Sequence, residues 1–347
     1  MAGLRPYFEE GLRPGDILER IGSEGPPAWR ESLEKTHQIF NPEREIERAE
    51  NLGVEIIPFT DSRYPSLLRE SSDPPFVLYM KGSLLESDEA AVALVGTRHP
   101  SLYGREQARR FSSELARMGL TIISGFARGI DRFAHEAALE VPYGRTVAVL
   151  GSGLDVIYPK EHDALFEEIA ERGALVSEFA LGTPPLAENF PKRNRIIAGL
   201  SWGTLVIEAH SRSGSLITAR LAAEEGREVF ALPGRVDQLG SRGTHRLLKE
   251  GAALVESPEE ILEALSPRLW PSLHASASPL QELDDQEKAV LALFNDEPLL
   301  LEELIKAGHL PVFLAIPLLT RLELKGLLHK RLDGRYERVP AHSGRLI

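Results

Sequence analysis

Seven short apolar runs recur at intervals of about 25 to 30 residues: AVALVG from Ala91, LTIISG from Leu120, TVAVLG from Thr146, ALVSEF from Ala174, TLVIEA from Thr204, EVFALPG from Glu228 and AALVES from Ala252. Each places apolar side chains at consecutive positions, so both faces need cover. That is the mark of a parallel strand buried between helices. The segments 105–118, 131–140, 160–172, 192–200 and 215–225 between them read as helices. Strands and helices alternating at this period build βαβ units. The pattern therefore predicts an α/β domain with a doubly wound, mostly parallel sheet.

The flanks read differently. Residues 1–85 predict an N-terminal helical region followed by a proline-rich connection. NPEREIERAENLG predicts a helix with Asn41 as its N-cap and Pro42 in the first turn, where a missing N–H is harmless. LRPGDILERIG reads as another short helix and FVLYM as a strand. Residues 86–266 hold the sheet. Residues 267–284, with Pro, Ser and Ala and little periodicity, predict a linker. Residues 285–347 predict three helices and then two short strands around Asp333-Gly334, a hairpin signal. That order outlines a winged helix-turn-helix.

In a doubly wound sheet, ligands bind beyond the carboxyl ends of the strands. The loops found there contain Gly96-Thr97-Arg98, Ser124-Gly125 leading to Arg128-Gly129, Gly151-Ser152-Gly153, Phe190 to Arg195, and Ser213-Gly214-Ser215. Glycine lets backbone approach a phosphate, and a helix N-terminus behind it offers free N–H groups. Gly96, Thr97, Ser124, Gly125, Gly153, Ser213, Gly214 and Ser215 are therefore candidate phosphate-loop residues. One glycine stands after the first run where a dinucleotide fingerprint needs three, and GxxxxGK[ST] does not occur, so NAD and P-loop chemistry fit poorly.

The chain of 347 residues carries 52 acidic and 40 basic residues, a formal net charge of −12. The sum argues against nucleic acid; its distribution does not. Ala93 to Ala134 holds 7 basic residues against 3 acidic, and Leu186 to Arg220 holds 5 against 2. Glu250 to Glu303 holds 2 basic against 13 acidic. Arg98, Arg128 and the cluster Lys192, Arg193, Asn194 and Arg195 would thus meet on one basic rim, with Phe126, Tyr158 and Phe190 as stacking surfaces. A basic groove interleaved with aromatics suits single-stranded nucleic acid.

Other chemistries are narrowed by composition. Without cysteine there is no disulfide, thiol nucleophile or Cys-ligated zinc. The ten histidines form no HExxH, so no metal site is expected. No run approaches the roughly 20 apolar residues of a membrane span, and the first residues lack the apolar core of a signal peptide; a cytoplasmic protein is expected. Asp131 and His135, four apart on one predicted helix, could form an acid–base pair or a structural hydrogen bond. No motif places a histidine to activate a serine.

Six motifs stand in one order: VGTRHPSLYG (95–104), SGFARGIDRFAH (124–135), GSGLDVIYP (151–159), FPKRNRIIAGLS (190–201), SGSLITARLA (213–222) and ALPG (231–234), with YPSLL (64–68) upstream. So ordered, they resemble the DNA-processing protein A family, DprA or Smf, over roughly residues 60–265. The C-terminal segment resembles the small third domain of many members. The resemblance implies a Rossmann-like fold and binding of single-stranded DNA without an enzymatic reaction, cofactor or catalytic residue. It also implies a homodimer that protects incoming DNA and loads the recombinase RecA during natural transformation. Carried onto this chain, Arg98 of GTR and Lys192, Arg193 and Arg195 of FPKRNR would pair with phosphates, with Asn194, Arg128 and Phe190 beside them. The winged helix would contact duplex DNA or another DNA-repair or competence protein. The competing reading is a nucleotide-processing enzyme resembling the Rossmann-like phosphoribohydrolases. Their PGGxGT loop and catalytic Glu have no match in ALPGRVDQLG (231–240).

Overall fold

The structure, a computed structural model, describes residues 20, 23–28, 30–31, 41–275, 285–294, 298–308, 312–324, 327–331 and 334–338. Helix α1 (Pro42–Asn51) opens as the sequence predicts, with Asn41 Oδ1 accepting the Arg44 N–H at 2.9 Å. The chain continues through β1 (Glu55–Pro58), α2 (Ser66–Arg69), β2 (Val77–Gly82), β3 (Ala91–Val95), α3 (Leu102–Arg117), β4 (Thr121–Ser124) and α4 (Ile130–Leu139). Next come β5 (Thr146–Val149), α5 (Asp163–Arg172), β6 (Ala174–Ser177), α6 (Asn189–Gly199), β7 (Gly203–Val206) and α7 (Ser215–Glu224). Then follow β8 (Glu228–Ala231), α8 (Arg242–Lys249), β9 (Ala253–Leu254) and α9 (Pro258–Ala275).

Nine strands form one sheet in the order β1-β2-β6-β5-β4-β3-β7-β8-β9. It is parallel from β6 through β9 and antiparallel at β1 and β2. The seven apolar runs supply the seven parallel strands, and their two-sided burial is visible in β3. Val92 and Leu94 enter a core with Phe111 and Leu115 of α3 and Ile130 of α4. Ala91, Ala93 and Val95 enter a second core with Ile196 and Ile197 of α6 and Ala219 of α7. The strand order reverses between β3 and β7, so the crevice beyond their carboxyl ends is the topological switch point.

Two boundaries differ from those predicted. β1 and β2 lie within residues 1–85, yet they pair into the main sheet: Met80 stands opposite Val176 and Ile57 opposite Leu78. The apolar FVLYM run finds its cover there. Helix α9 also extends to Ala275, through the first part of the expected 267–284 linker. Proline disfavours a helix interior because it lacks an N–H, but Ile261, Leu262 and Leu265 anchor this helix in the first core.

Further along, α10 (Asp285–Leu291), α11 (Leu301–Gly308) and α12 (Val312–Leu324) precede an antiparallel pair, β10 (Leu328–Lys330) and β11 (Tyr336–Arg338). Leu304, Leu318, Leu322, Leu328 and Tyr336 form a core of their own. Three helices and a hairpin match the expected winged helix. Asp333 of the predicted turn, and the LRPGDILERIG helix apart from Arg20, lie outside the described residues. Among the described residues no helix is long and apolar enough to cross a membrane.

Candidate nucleic-acid interface

Loops at the carboxyl ends of β3, β4 and β5 meet the start of α6. They enclose a pocket lined by Arg98, Gly125, Phe126, Ala127, Arg128, Leu150, Gly151, Ser152, Tyr158, Pro159 and Phe190. Phe190 is its centre. The Arg98 guanidinium lies 5.2 Å from the ring centroid, Arg193 lies at 5.9 Å, and the Tyr158 ring is 5.9 Å away, tilted by 50°. Arg128 lies 5.7 Å from the Tyr158 centroid. A Cβ on Gly151 would stand 3.0 Å from Phe190 Cδ1, so the ring rests on bare backbone. A guanidinium stacked on a ring keeps its in-plane donors for an anion.

The cations of the pocket are not equivalent. Arg98 is exposed, and among the described residues no carboxylate stands within salt-bridge distance of it. Arg128, also exposed, pairs with Glu161, and that hydrogen bond holds the Glu161 carboxyl below its usual range. Arg193 is a correction to the sequence reading: it is only 3% exposed. Its Nη1 donates to the carbonyls of Gly125 and Val149, and its Nε donates to Asn194 Oδ1 at 3.3 Å. Arg193 therefore ties the ends of β4 and β5 to α6. Burial depresses its guanidinium to about 10, opposed by the neighbouring Asp131. Gly125 is required here, because a Cβ would come within 2.6 Å of Asp131 Oδ2 and 2.8 Å of Arg193 Nη2.

Arg195 is likewise committed internally, with salt bridges of 2.8 Å to Asp73 and 2.6 Å to Glu178. Burial works against its charge, but these carboxylates outweigh burial and hold it above its usual value. Lys192 is exposed, 4.0 Å from Glu188 one turn back. Asn194 is buried and donates from Nδ2 to the Gly214 carbonyl at 3.3 Å.

Of the candidate phosphate-loop residues, only Gly125 lines the pocket. Ser124 is fully buried and its hydroxyl donates to the Leu94 carbonyl at 2.6 Å, a second correction. Thr97 is buried, its N–H on the Glu208 carbonyl. Gly96 packs against Ile130, and a Cβ on Gly153 would meet the Ala180 carbonyl at 2.6 Å. Ser213 and Ser215 share a hydrogen bond of 2.8 Å around the exposed Gly214.

Asp131 and His135 do not form an acid–base pair. Burial raises the Asp131 carboxyl above its ordinary value, countered by Arg193; Oδ2 accepts the Ala127 N–H at 3.3 Å. His135 is fully buried on Thr146, its Nδ1 2.6 Å from Oγ1. The Thr146 hydroxyl already donates to the Ile122 carbonyl, so Nδ1 carries the ring proton and Nε2 has no partner. Burial drives this imidazole down to about 3.

Residues 55–266 match the family described as DNA recombination-mediator protein A, and residues 274–335 match the DprA winged helix domain. The chain belongs to the DNA recombination-mediator protein A family. The protein Smf of Escherichia coli is 46% identical over 290 residues, covering 82% of this chain and 77% of that protein. Among solved structures, the DNA processing protein A of Streptococcus pneumoniae superposes with a TM-score of 0.65 at 40% identity, over 75% of this chain and 90% of that one. That of Helicobacter pylori, solved for its single-stranded DNA binding mode, gives 0.56 at 31% identity over 62% and 96%.

Within this recombination-mediator fold, the residue most easily overlooked from sequence is Gly151, whose lack of a side chain seats Phe190. Phe126 is a second. It adopts a left-handed φ of 57°, unusual for a bulky residue. Its buried ring is held edge-on by His162 at 5.2 Å and Phe166 at 6.1 Å. Nothing in the local sequence announces that conformation, which is packed in place among the surrounding rings.

Proposed function

We propose that this chain is a single-stranded DNA binder that acts as a recombination mediator in natural transformation, without catalysing a reaction of its own. One observation carries the reading: exposed Arg98, which forms no salt bridge among the described residues, stacks on the Phe190 ring beside the Tyr158–Arg128 pair. Aromatic faces take bases of any sequence, and the cations take phosphates. Arg98, Lys192 and Arg128 meet the backbone in this reading, while Phe190 and Tyr158 stack bases. Arg193, Asn194 and Arg195 hold the rim in shape. The Helicobacter pylori relative, solved for single-stranded DNA binding, supports it. The internal commitments of Asp131 and His135 speak against the hydrolase alternative.

Delivery of the strand to RecA and homodimer formation belong to the proposal on the family resemblance. They are tested by RecA filament assembly on protein-coated oligonucleotide and by light scattering. The binding itself is tested by fluorescence anisotropy with labelled oligo-dT across a salt series. Arg98→Glu replaces a phosphate partner with a repelling charge and is expected to weaken binding by about two orders of magnitude. An exposed site should leave stability within about 0.5 kcal/mol. Wild-type affinity in the Arg98→Glu protein would refute the pocket.

A further inference from the structure

The switch point between β3 and β7 lies beside the cation–aromatic pocket. In sheets of this kind a ligand phosphate sits there, on the N–H groups that open the helix after the first strand. Here that helix is α3, sixteen residues long, and its N-terminus is already occupied. Glu208, two residues past β7, turns its carboxylate onto it. Oε2 accepts the Ser101 N–H at 3.0 Å and the Ser101 hydroxyl at 2.9 Å. Ser101 Oγ in turn accepts the Gly104 N–H at 3.1 Å and caps the helix. Two glycines make the space: a Cβ on Gly104 would stand 2.1 Å from Oε2, and one on Gly240 2.2 Å from Oε1. Glu208 is 9% exposed, and its charge faces the positive end of the α3 dipole.

The same residue also holds the other end of the loop. Its backbone carbonyl accepts the Thr97 N–H at 2.8 Å, and Thr97 Oγ1 accepts the His99 N–H at 3.2 Å. Arg98, His99 and Pro100 are therefore strung between two anchors supplied by one residue, 107 positions from Ser101 in sequence.

We propose that Glu208 is a positioning and specificity residue for DNA binding. Its carboxylate stands in for a ligand phosphate on α3, closes the switch point to nucleotides, and sets the loop that holds Arg98 over Phe190. The proposal rests on the reading of the pocket given above.

The experiment measures oligo-dT affinity for the full chain and for E208Q, R98A and the double variant. It also measures thermal melting of wild type and E208A with and without millimolar inorganic phosphate. E208Q keeps the shape and removes the charge; binding is expected to fall about tenfold. Because the effect passes through Arg98, E208Q is expected to add no further loss in the R98A background. Additive losses overturn the positioning role, since a purely structural residue would produce them. E208A vacates the cradle, so phosphate is expected to raise its melting temperature while leaving wild type unmoved. An E208A protein indifferent to phosphate overturns the stand-in role. The cycle uses E208Q alone, so it decides even where E208A fails to fold. Should wild type not bind oligo-dT, or R98A bind it normally, the pocket reading fails instead, and the phosphate response of E208A still tests the cradle.

Discussion

Arg193 is the residue on which the charge pattern of the sequence and the folded arrangement disagree most, and its removal separates them. Arg193→Ala deletes a guanidinium that donates to two buried carbonyls, Gly125 and Val149, and faces Asp131. Each carbonyl left without its donor costs about 1–3 kcal/mol. The buried Asp131 carboxyl also loses the cation that opposes its desolvation. Two carbonyls left without donors give a total of about 2–6 kcal/mol. That is a large part of a typical domain stability of about 5–15 kcal/mol. Urea unfolding followed by far-ultraviolet circular dichroism should show a strongly lowered midpoint, and oligo-dT binding should decline with the folded fraction. Arg98→Ala should show the reverse: a midpoint near wild type, weaker binding, and a salt slope shallower by about 0.7, the share of one phosphate contact on a single strand. An Arg193→Ala protein of wild-type stability that has lost DNA binding would refute the buried-tie argument and restore Arg193 as a phosphate ligand.

Two further outcomes follow from the same geometry. His135 titrates near 6.5 when unfolded but only at about 3 when folded, because burial disfavours its charged form. Between those values the unfolded chain binds the extra proton, so stability falls as pH drops from about 6.5 toward 3, by at most about 1.4 kcal/mol per pH unit from this residue. His135→Gln should flatten that part of a stability–pH profile, and an unchanged slope would contradict the assignment. Phe190→Ala removes the stacking face without removing charge. It should weaken oligo-dT binding by about 1–3 kcal/mol while leaving the salt slope alone; a changed slope at unchanged affinity would count against stacking.

Much of this was legible in the chain. The βαβ sheet could be read because each apolar run is too short for a helix and apolar on both faces, leaving a buried strand as its only economical fate. Arg98 and Arg128 could be placed at the pocket because they stand in loops after β3 and β4, and Phe190 because it opens α6 after β6. The sequence predicts a helix over 192–200, and the FPKRNR charges point to the rim without saying which face of that helix Arg193 occupies. On α6, Asn189, Arg193, Ile196 and Ile197 are all buried and recur at positions i, i+4, i+7 and i+8, so the helical period already put Arg193 on the apolar stripe. Ser124 could have been placed the same way, as the last residue of a strand covered on both sides. The Glu208–Ser101 contact had no such signal, because only the strand order brings the two together.

The basic rim is therefore weaker as a charge and sharper as a site than residue counting suggests. Arg195 is neutralised by Asp73 and Glu178, Arg128 is paired with Glu161, and Arg193 is buried against Asp131. Arg98 and Lys192 are left as the rim cations least compensated by neighbours, and Arg98 is the one seated on an aromatic ring. A general electrostatic surface would spread its cations and leave them unpaired. In the function proposed above, the paired cations fix loops and helix ends, and a strand would meet few charges, Arg98 on Phe190 among them. On that proposal the net charge of −12 would oppose adhesion of DNA elsewhere on the protein and leave the rings to choose where a single strand, with its bases unstacked, lies.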